Sequence, residues 1–337
     1  MFLILNTFHN PYFNIALEEY FFSKFQEPVT IFYRNSPSVI LGKHQIALKE
    51  INSRYVANNK IPVIRRISGG GAVYHDLGNI NFTFIKNGES EKLSDFPKFT
   101  EPIIKLLNDL GISAKLANKS DIVVNDVKIS GNAEHTFKNR ILHHGTILFS
   151  SDLQNLSNSL KQDENKFVDN SVKSRRANVM NLISFVEQHQ SNLISNSNFS
   201  KVLWDVEEFL TMLYMNFLIY SSDIQQYVLN KIDIKNINQL VDEKYKTFEW
   251  NYGYLGNYQF QNVVLKDDLR LQVYLNAENA IIKEIEIESN DENLFGISKF
   301  IVGKKHLWQE IKEELITLEK QAKINKLQLG VLMDLLF

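Results

Sequence analysis

The chain contains no cysteine. That excludes disulfides, thiolate metal sites and every mechanism that runs through a cysteine nucleophile. It also lacks a dominant charge: 37 Lys and Arg stand against 39 Asp and Glu, a net charge of −2. No nucleic-acid partner is expected, because such a partner calls for a basic excess. No window approaches the ~20 apolar residues of a membrane span. The first residues, MFLIL, have neither the basic start nor the long apolar core of a secretory leader. A cytoplasmic protein with no membrane partner is the expectation. There is no repeat at solenoid periods, no HExxH motif and no carboxylate cluster at metal spacing.

What is present is ordinary globular material with one unusual run. The 337 residues are 44% hydrophobic and 23% charged, enough for a sizeable core and for two domains. The run is RRISGGGAVYHDLGN, residues 65–79. Consecutive glycines cost chain entropy and contribute no packing, so they belong where the backbone needs positive φ or a close approach. Adjacent arginines offer forked donors to carboxylate or phosphate. Two readings stand: a polyphosphate or adenylate pocket, or a glycine-rich hairpin loop with solvated arginines. The flanks 61–64, 72–74 and 80–85 read as strands, and 76–79 as a turn. A Rossmann fingerprint or a P-loop needs a helix directly after the glycines, and a P-loop also needs Gly-Lys-Ser/Thr. Neither feature follows. A nucleotide bound here would lie on an antiparallel sheet.

In chain order, residues 3–5 read as a strand. Asn10 and Pro11 open a core-packing helix to about residue 25. Strands 29–33 and 38–41 flank a turn, and 47–59 reads as helical. A loop spans 87–95, and a helix over 99–110 stops at Gly111. Strands 122–124 and 127–129 form a hairpin about Asn125-Asp126. Lys128, among β-branched neighbours, either faces water or projects into a cleft as a fixed ammonium. In the strand 141–149, His143 and His144 point to opposite faces and are not a metal pair. A basic stretch covers 162–178, a polar connector 187–200, and helices 201–220 and about 236–245. Composition shifts near Lys246. Strands 259–265, 269–275 and 281–287 and helices 305–318 and 323–335 then form a unit of about ninety residues, enough for a small domain.

Taken together and in order, RRISGGGAVYHDLGNINFTF, DIVVNDVKISGNA, HHGTILFSSDL and FEWNYG resemble the lipoate–protein ligase A family. Residues 14–19 of the first helix, Gly42 and Gln45 belong to the same pattern, which covers nearly the whole chain. The resemblance implies an α+β fold: a mixed, largely antiparallel sheet core of the biotin/lipoate–protein ligase, class II synthetase-like type. It implies a catalytic lipoate- and adenylate-binding domain over 1–245 and a small α+β accessory domain over 246–337. The implied reaction has two steps. Lipoate and ATP form lipoyl-AMP and pyrophosphate, and a carrier lysine then takes the lipoyl group.

By the same resemblance, Lys128 is catalytic and sits where carboxylate meets α-phosphate. Arg66, Gly70, Gly71, Ala72, Val73 and Tyr74 bind ATP and lipoyl-AMP, with Asn79, Asp121 and Lys128. Lipoate is bound by Arg66, Gly71, Val73 and His75, with Lys128, Gly131 and His144. Asp76 supports the loop, and Val73, Ile129 and Leu142 offer an apolar slot. ATP, Mg²⁺ held through Asp121, and lipoate as substrate are implied. So are carrier partners, the lipoyl domains of 2-oxoacid dehydrogenase complexes or the H protein of glycine cleavage. One departure concerns the loop that closes over the adenylate. The family's Lys-Gly pair is Asn170-Ser171 here, and an expected arginine is Asn178. That leaves an alternative, a lipoyl-AMP-dependent lipoyltransferase or lipoate-binding protein lacking the adenylation step. A transferase using an acyl-cysteine is excluded by composition.

Overall fold

The computed structural model describes residues 1–88, 94–160, 164–174, 177–188, 205–220 and 223–337. Parts of the expected loop 87–95, the basic stretch 162–178, the connector 187–200 and the start of the helix 201–220 lie outside these residues.

Alternating apolar residues build an eight-stranded mixed sheet. Its strands run in the order Gln225–Gln226, Phe2–Leu5, Val29–Arg34, Asn79–Asn87, Arg140–Leu148, Val127–Phe137, Asp121–Val124 and Ala114–Ala117. The first two pairings are parallel and the others antiparallel. Asn79–Asn87 is buried over most of its length because both faces of the sheet are covered. Phe82 and Phe84 pack towards the helices Phe96–Asp109 and Val206–Tyr220. Ile31, Ile85 and Leu142 pack towards the helices Pro11–Lys24 and Lys231–Leu240. Each buried aromatic or branched side chain of this kind contributes roughly 2 kcal/mol. The first helix starts as expected. The Asn10 side chain accepts from Tyr12 N and Phe13 N, with Pro11 at the first helical position, a cap contributing about 1 kcal/mol.

The glycine run does not form a hairpin. Val63–Arg65 and Val73–His75 do not pair with each other. Both pair with Ser38–Leu41, which lies between them, parallel to one and antiparallel to the other. The run therefore crosses over a strand, a span too wide for a tight turn. The helical stretch expected over 47–59 breaks into Ala47–Glu50 and Ser53–Asn58, the second capped by the Asn52 side chain. The helix expected from about 236 starts earlier. Asn230 and Asp233 form a capping box at Lys231–Leu240, and a wider helical turn, Val241–Tyr245, follows. Val127–Phe137 extends well beyond the expected 127–129 because it pairs along Arg140–Leu148.

The C-terminal strands Tyr258–Lys266, Leu269–Glu278 and Ile281–Ser289 form a meander covered by the helices Trp308–Lys320 and Lys326–Leu336. Their sheet takes its edge strand from Phe167–Val168, far upstream. Ile46, Leu48 and Phe167 share the same apolar cluster. Among the described residues, no helix is long and apolar enough to cross a membrane.

Candidate active site

A cleft of about 610 Å³ opens between the large sheet, the three-stranded sheet and the residues 172–174 and 177–178. Lys128 enters it because of a local irregularity. In a regular strand, residues three apart point to opposite faces. Between Asp121–Val124 and Val127–Phe137 the register shifts at Ile122/Val123. This bulge turns both Lys128 and Gly131 towards the cleft and sends Ile129 into the core. Gly131 leaves room for the ammonium: a Cβ there would sit 3.1 Å from Lys128 Nζ and make the lysine tip shift by a few tenths of an ångström. The ammonium lies 2.8 Å from Asp121 Oδ1, with side-chain exposures of 25% and 15%. Among the described residues, no group of three or more His, Asp or Glu is arranged to hold a metal ion.

The two adjacent arginines have different tasks. Arg65 is fully buried and faces away from the cleft. Its Nη1 donates to the carbonyls of Gly42, Lys43 and Gln45, its Nε to Trp250 O, and its Nη2 to Asn251 O. Trp250 Nε1 donates back to Arg65 O at 2.7 Å. Arg65 is a strut between the 42–45 turn and the Phe248–Asn251 helix, not an anion ligand. Burial lowers its pKa to about 10, leaving it charged. Arg66 lines the cleft and is likewise lowered to about 10 by burial, with Glu18 opposing the shift. Its Nη2 donates to Gly69 O at 2.6 Å and Gly71 O at 2.8 Å, and its Nη1 to Ile40 O. The guanidinium thus shapes the glycine run, whose Gly70 adopts φ +88°, a conformation that favours glycine.

Behind Arg66 lies a buried polar chain. Arg66 Nε donates to Ser68 Oγ at 2.9 Å, and Ser68 Oγ meets His144 Nε2 at 2.6 Å. His144 Nδ1 lies 2.8 Å from Glu18 Oε2. The hydroxyls of Tyr33 and Thr83 donate to Glu18 Oε1. Burial alone would raise the Glu18 pKa, but His144 and these hydrogen bonds together bring it below its ordinary value. A serine, a histidine and a carboxylate in line suggest a hydrolytic triad. Ser68, however, is fully buried and absent from the cleft wall, so it offers no nucleophile. The chain supplies Arg66 with a counter-charge and a fixed orientation. His75, on the same wall, hydrogen-bonds Asn35 through Nδ1 at 3.0 Å.

The third wall comes from the altered loop. Ser174 Oγ accepts from Ala72 N at 2.8 Å and from Gln45 Nε2 at 2.9 Å. Gln45 Oε1 in turn accepts from Gly42 N. The loop base is pinned by a buried ion pair, Lys49 Nζ to Asp169 Oδ2 at 2.8 Å. Asn178 O accepts from Lys128 N at 3.3 Å. Arg175 and Arg176 lie outside the described residues.

Of the residues proposed from sequence, Arg66, Gly70, Gly71, Ala72 and Val73 line the cleft, as do His75, Asp121, Lys128, Gly131 and His144. Tyr74 does not. Strand alternation points it into the cluster of Val39 and Leu41, leaving only its backbone near the run. Asn79 does not line the cleft either: it is fully buried, and its Nδ2 donates to Oδ1 of Asn81, which does line it. The apolar slot also differs. Ile129 and Leu142 belong to the core, and Ile15, Tyr33 and Ile40 join Val73 instead. Sequence reading gave no role to Glu18, Asn35, Ser68 or Ser174. The one available signal was a pair of polar residues four apart, Asn14 and Glu18, both on the buried part of a mostly apolar helix.

Residues 10–202 match the model of the lipoyl protein ligase A/B catalytic domain. Lipoate–protein ligase 1 of Staphylococcus aureus is 34% identical over 322 residues, 93% of each chain. Lipoate–protein ligase LplJ of Bacillus subtilis is 32% identical, covering 91% of this chain and 90% of its own. Among solved structures, a putative lipoate–protein ligase of Thermoplasma acidophilum with bound lipoic acid is 29% identical, with a TM-score of 0.60. It matches over 74% of this chain and 98% of its own. A lipoate–protein ligase A bound with ATP gives 29% identity, a TM-score of 0.60 and coverage of 75% and 98%.

Proposed function

The chain belongs to the lipoate–protein ligase family, and from that membership we infer that it activates lipoate with ATP and transfers the lipoyl group to a lysine of a carrier domain. A lipoate carboxylate oxygen attacks the α-phosphorus, the bond to the bridging oxygen breaks, and pyrophosphate leaves. The acceptor amine then attacks the acyl carbon of lipoyl-AMP, loses a proton, and AMP leaves.

In this reading Lys128 is the catalytic residue, placed between the carboxylate and the α-phosphate. Both are anionic, and a fixed ammonium offsets their repulsion and the charge that develops on phosphate. One observation carries the assignment: the strand bulge that presents the Lys128 ammonium inside the cleft, beside Asp121. Arg66 holds the glycine run in shape and adds positive potential. The Gly71 amide offers a donor to phosphate, while Ala72 N is held by Ser174 Oγ. Ile15, Ile40 and Val73 provide apolar packing for the acyl chain. Mg²⁺ fits here as an ion arriving on ATP, since it uses one or two carboxylates together with phosphate oxygens. Asp121 would hold it, and it would neutralise phosphate charge. We further propose a catalytic unit over 1–245 and an accessory unit over 246–337, a cytoplasmic location, and carriers of the lipoyl-domain or H-protein type.

The test uses purified protein with lipoate, ATP and Mg²⁺. Exchange of labelled pyrophosphate into ATP and lipoylation of a carrier domain are expected. The altered residues Asn170, Ser171 and Asn178 favour one second reading, transfer from preformed lipoyl-AMP only. Transfer without exchange would select it.

A further inference from the structure

We propose that His75 is the specificity-determining residue at the inner end of the acyl slot, where its Nε2–H selects an acid carrying a sulfur acceptor over a straight-chain acid of similar length. The inference rests on the ligase reading and deepens it.

The proton on His75 is assigned by a chain of asparagines. Asn14 Nδ2 lies 2.8 Å from Phe8 O and 3.1 Å from Arg34 O. Carbonyls only accept, so the NH₂ end of Asn14 is fixed. Asn6 agrees, donating to Asn14 Oδ1 from the other side. Asn35 must then offer its oxygen to Asn14 Nδ2, at 2.8 Å. Its NH₂ is left facing His75 Nδ1 at 3.0 Å. Nδ1 accepts, and the single proton of the neutral ring sits on Nε2. Asn14 and Asn35 are fully buried, which holds this arrangement in place. Burial, followed by Arg66 and His144, lowers the His75 pKa to about 3, so the ring stays neutral in working conditions.

That Nε2–H has no hydrogen-bond partner among the described residues, in a side chain only 4% exposed. His75 lines the cleft on the same strand face as Val73. The other polar groups at this end are engaged. Tyr33 OH donates to Glu18, His144 bonds Glu18 and Ser68, and Asn81 bonds Asn79 and Tyr33 O. An acyl chain with its carboxylate at Lys128 therefore runs past Ile15, Ile40 and Val73 and meets the His75 Nε2–H, a ring nitrogen with no partner among the described residues. A thioether or disulfide sulfur is a polarisable, weak acceptor that can take this proton. A terminal methyl leaves it unpaired in a dry pocket, and sites with an unpaired buried donor reject such analogues.

The test compares kcat/KM for lipoate and octanoate in the ATP-dependent reaction. His75→Leu should lower the lipoate-to-octanoate ratio about tenfold, chiefly by losing lipoate. Asn35→Asp places an acceptor opposite Nδ1, moves the proton there, and should lower the ratio while keeping the ring in place. Histidine ¹⁵N NMR of the unmodified protein should show His75 as the Nε2–H tautomer, with its signal shifted by lipoate and not by octanoate. An Nδ1–H tautomer, or a ratio unchanged because both acids lose equally, overturns the proposal. Equal loss would place His75 at the carboxylate that the two acids share. If the unmodified protein activates neither acid, the ligase reading fails, and this inference with it. An active enzyme with an unmoved ratio removes the inference alone.

Discussion

The two ends of the cleft are built on opposite principles. At the inner end, Glu18, His144, Ser68, Arg66, Asn35 and His75 are nearly all inaccessible, and side chain bonds to side chain along the series. At the mouth, Lys128 and Asp121 remain partly exposed, and the facing wall is a loop held by Ser174 and Gln45. Rigid polar shells position ligands, because buried groups reorganise only at the cost of unmade hydrogen bonds. Partly exposed charges at an open mouth leave room for ATP to enter and pyrophosphate to leave. The inner end is suited to recognition, the mouth to chemistry and turnover.

Breaking the mouth should cost the most activity. Lys128→Ala should reduce pyrophosphate exchange about 10³-fold, the scale of losing one fixed electrostatic group, with little change in stability. Near-normal exchange would move the catalytic centre elsewhere. Breaking the frame behind the inner end should cost stability first. Arg65→Ala strands the carbonyls of Gly42, Lys43, Gln45, Trp250 and Asn251. A loss of about 3 kcal/mol is expected in urea unfolding, with faster hydrogen exchange across 248–256. An unchanged midpoint would show that the strut is dispensable.

The third prediction concerns pH. The His75 pKa is about 3 in the folded protein, against about 6.5 when unfolded. As pH falls from 6.5, the unfolded chain binds a proton that the folded chain refuses, so stability declines. His75 contributes up to about 1.4 kcal/mol per pH unit. His306, lowered to about 4 by burial, acts in the same direction. Between pH 6.5 and 5.5, above the range where most carboxylates titrate in either state, His75→Leu should show a shallower slope than the unmodified chain. An equal slope would mean that His75 is hydrated. The smallest effect belongs to the loop. Ser174→Ala removes the bonds to Ala72 N and Gln45, about 1 kcal/mol, and should release lipoyl-AMP several times faster in a gel-filtration retention assay. Equal retention would detach the latch from adenylate holding.

Much of this was legible from local patterns. The Asn10 cap, the Asn125-Asp126 hairpin and the C-terminal meander each follow from a few adjacent residues. The Lys128–Gly131 pairing was readable as a motif, though not why it works: the bulge depends on the register against Asp121–Val124. The glycine run misled in one respect. Its flanking strands have the right residues for a hairpin, yet Ser38–Leu41 lies between them. Tyr74 stood in the right run and turned away from the cleft, since a strand exposes only alternate residues, and Asn79 stands behind Asn81, which lines it.

By itself the sequence determined the chemistry that is possible. Without cysteine there is no acyl-thioester, without a helix after the glycines there is no P-loop, and by family resemblance Lys128 is the cation expected at an acyl-phosphate reaction. Only the tertiary structure separated Arg65 from Arg66, adjacent and chemically identical residues. One is a strut because Trp250 and Asn251 come to it from 185 and 186 residues away. The other faces the cleft because Glu18 and His144, 126 residues apart in the chain, meet behind it. Side-chain roles of this kind are decided by where buried donors find acceptors, and those partners are close in space and distant in sequence.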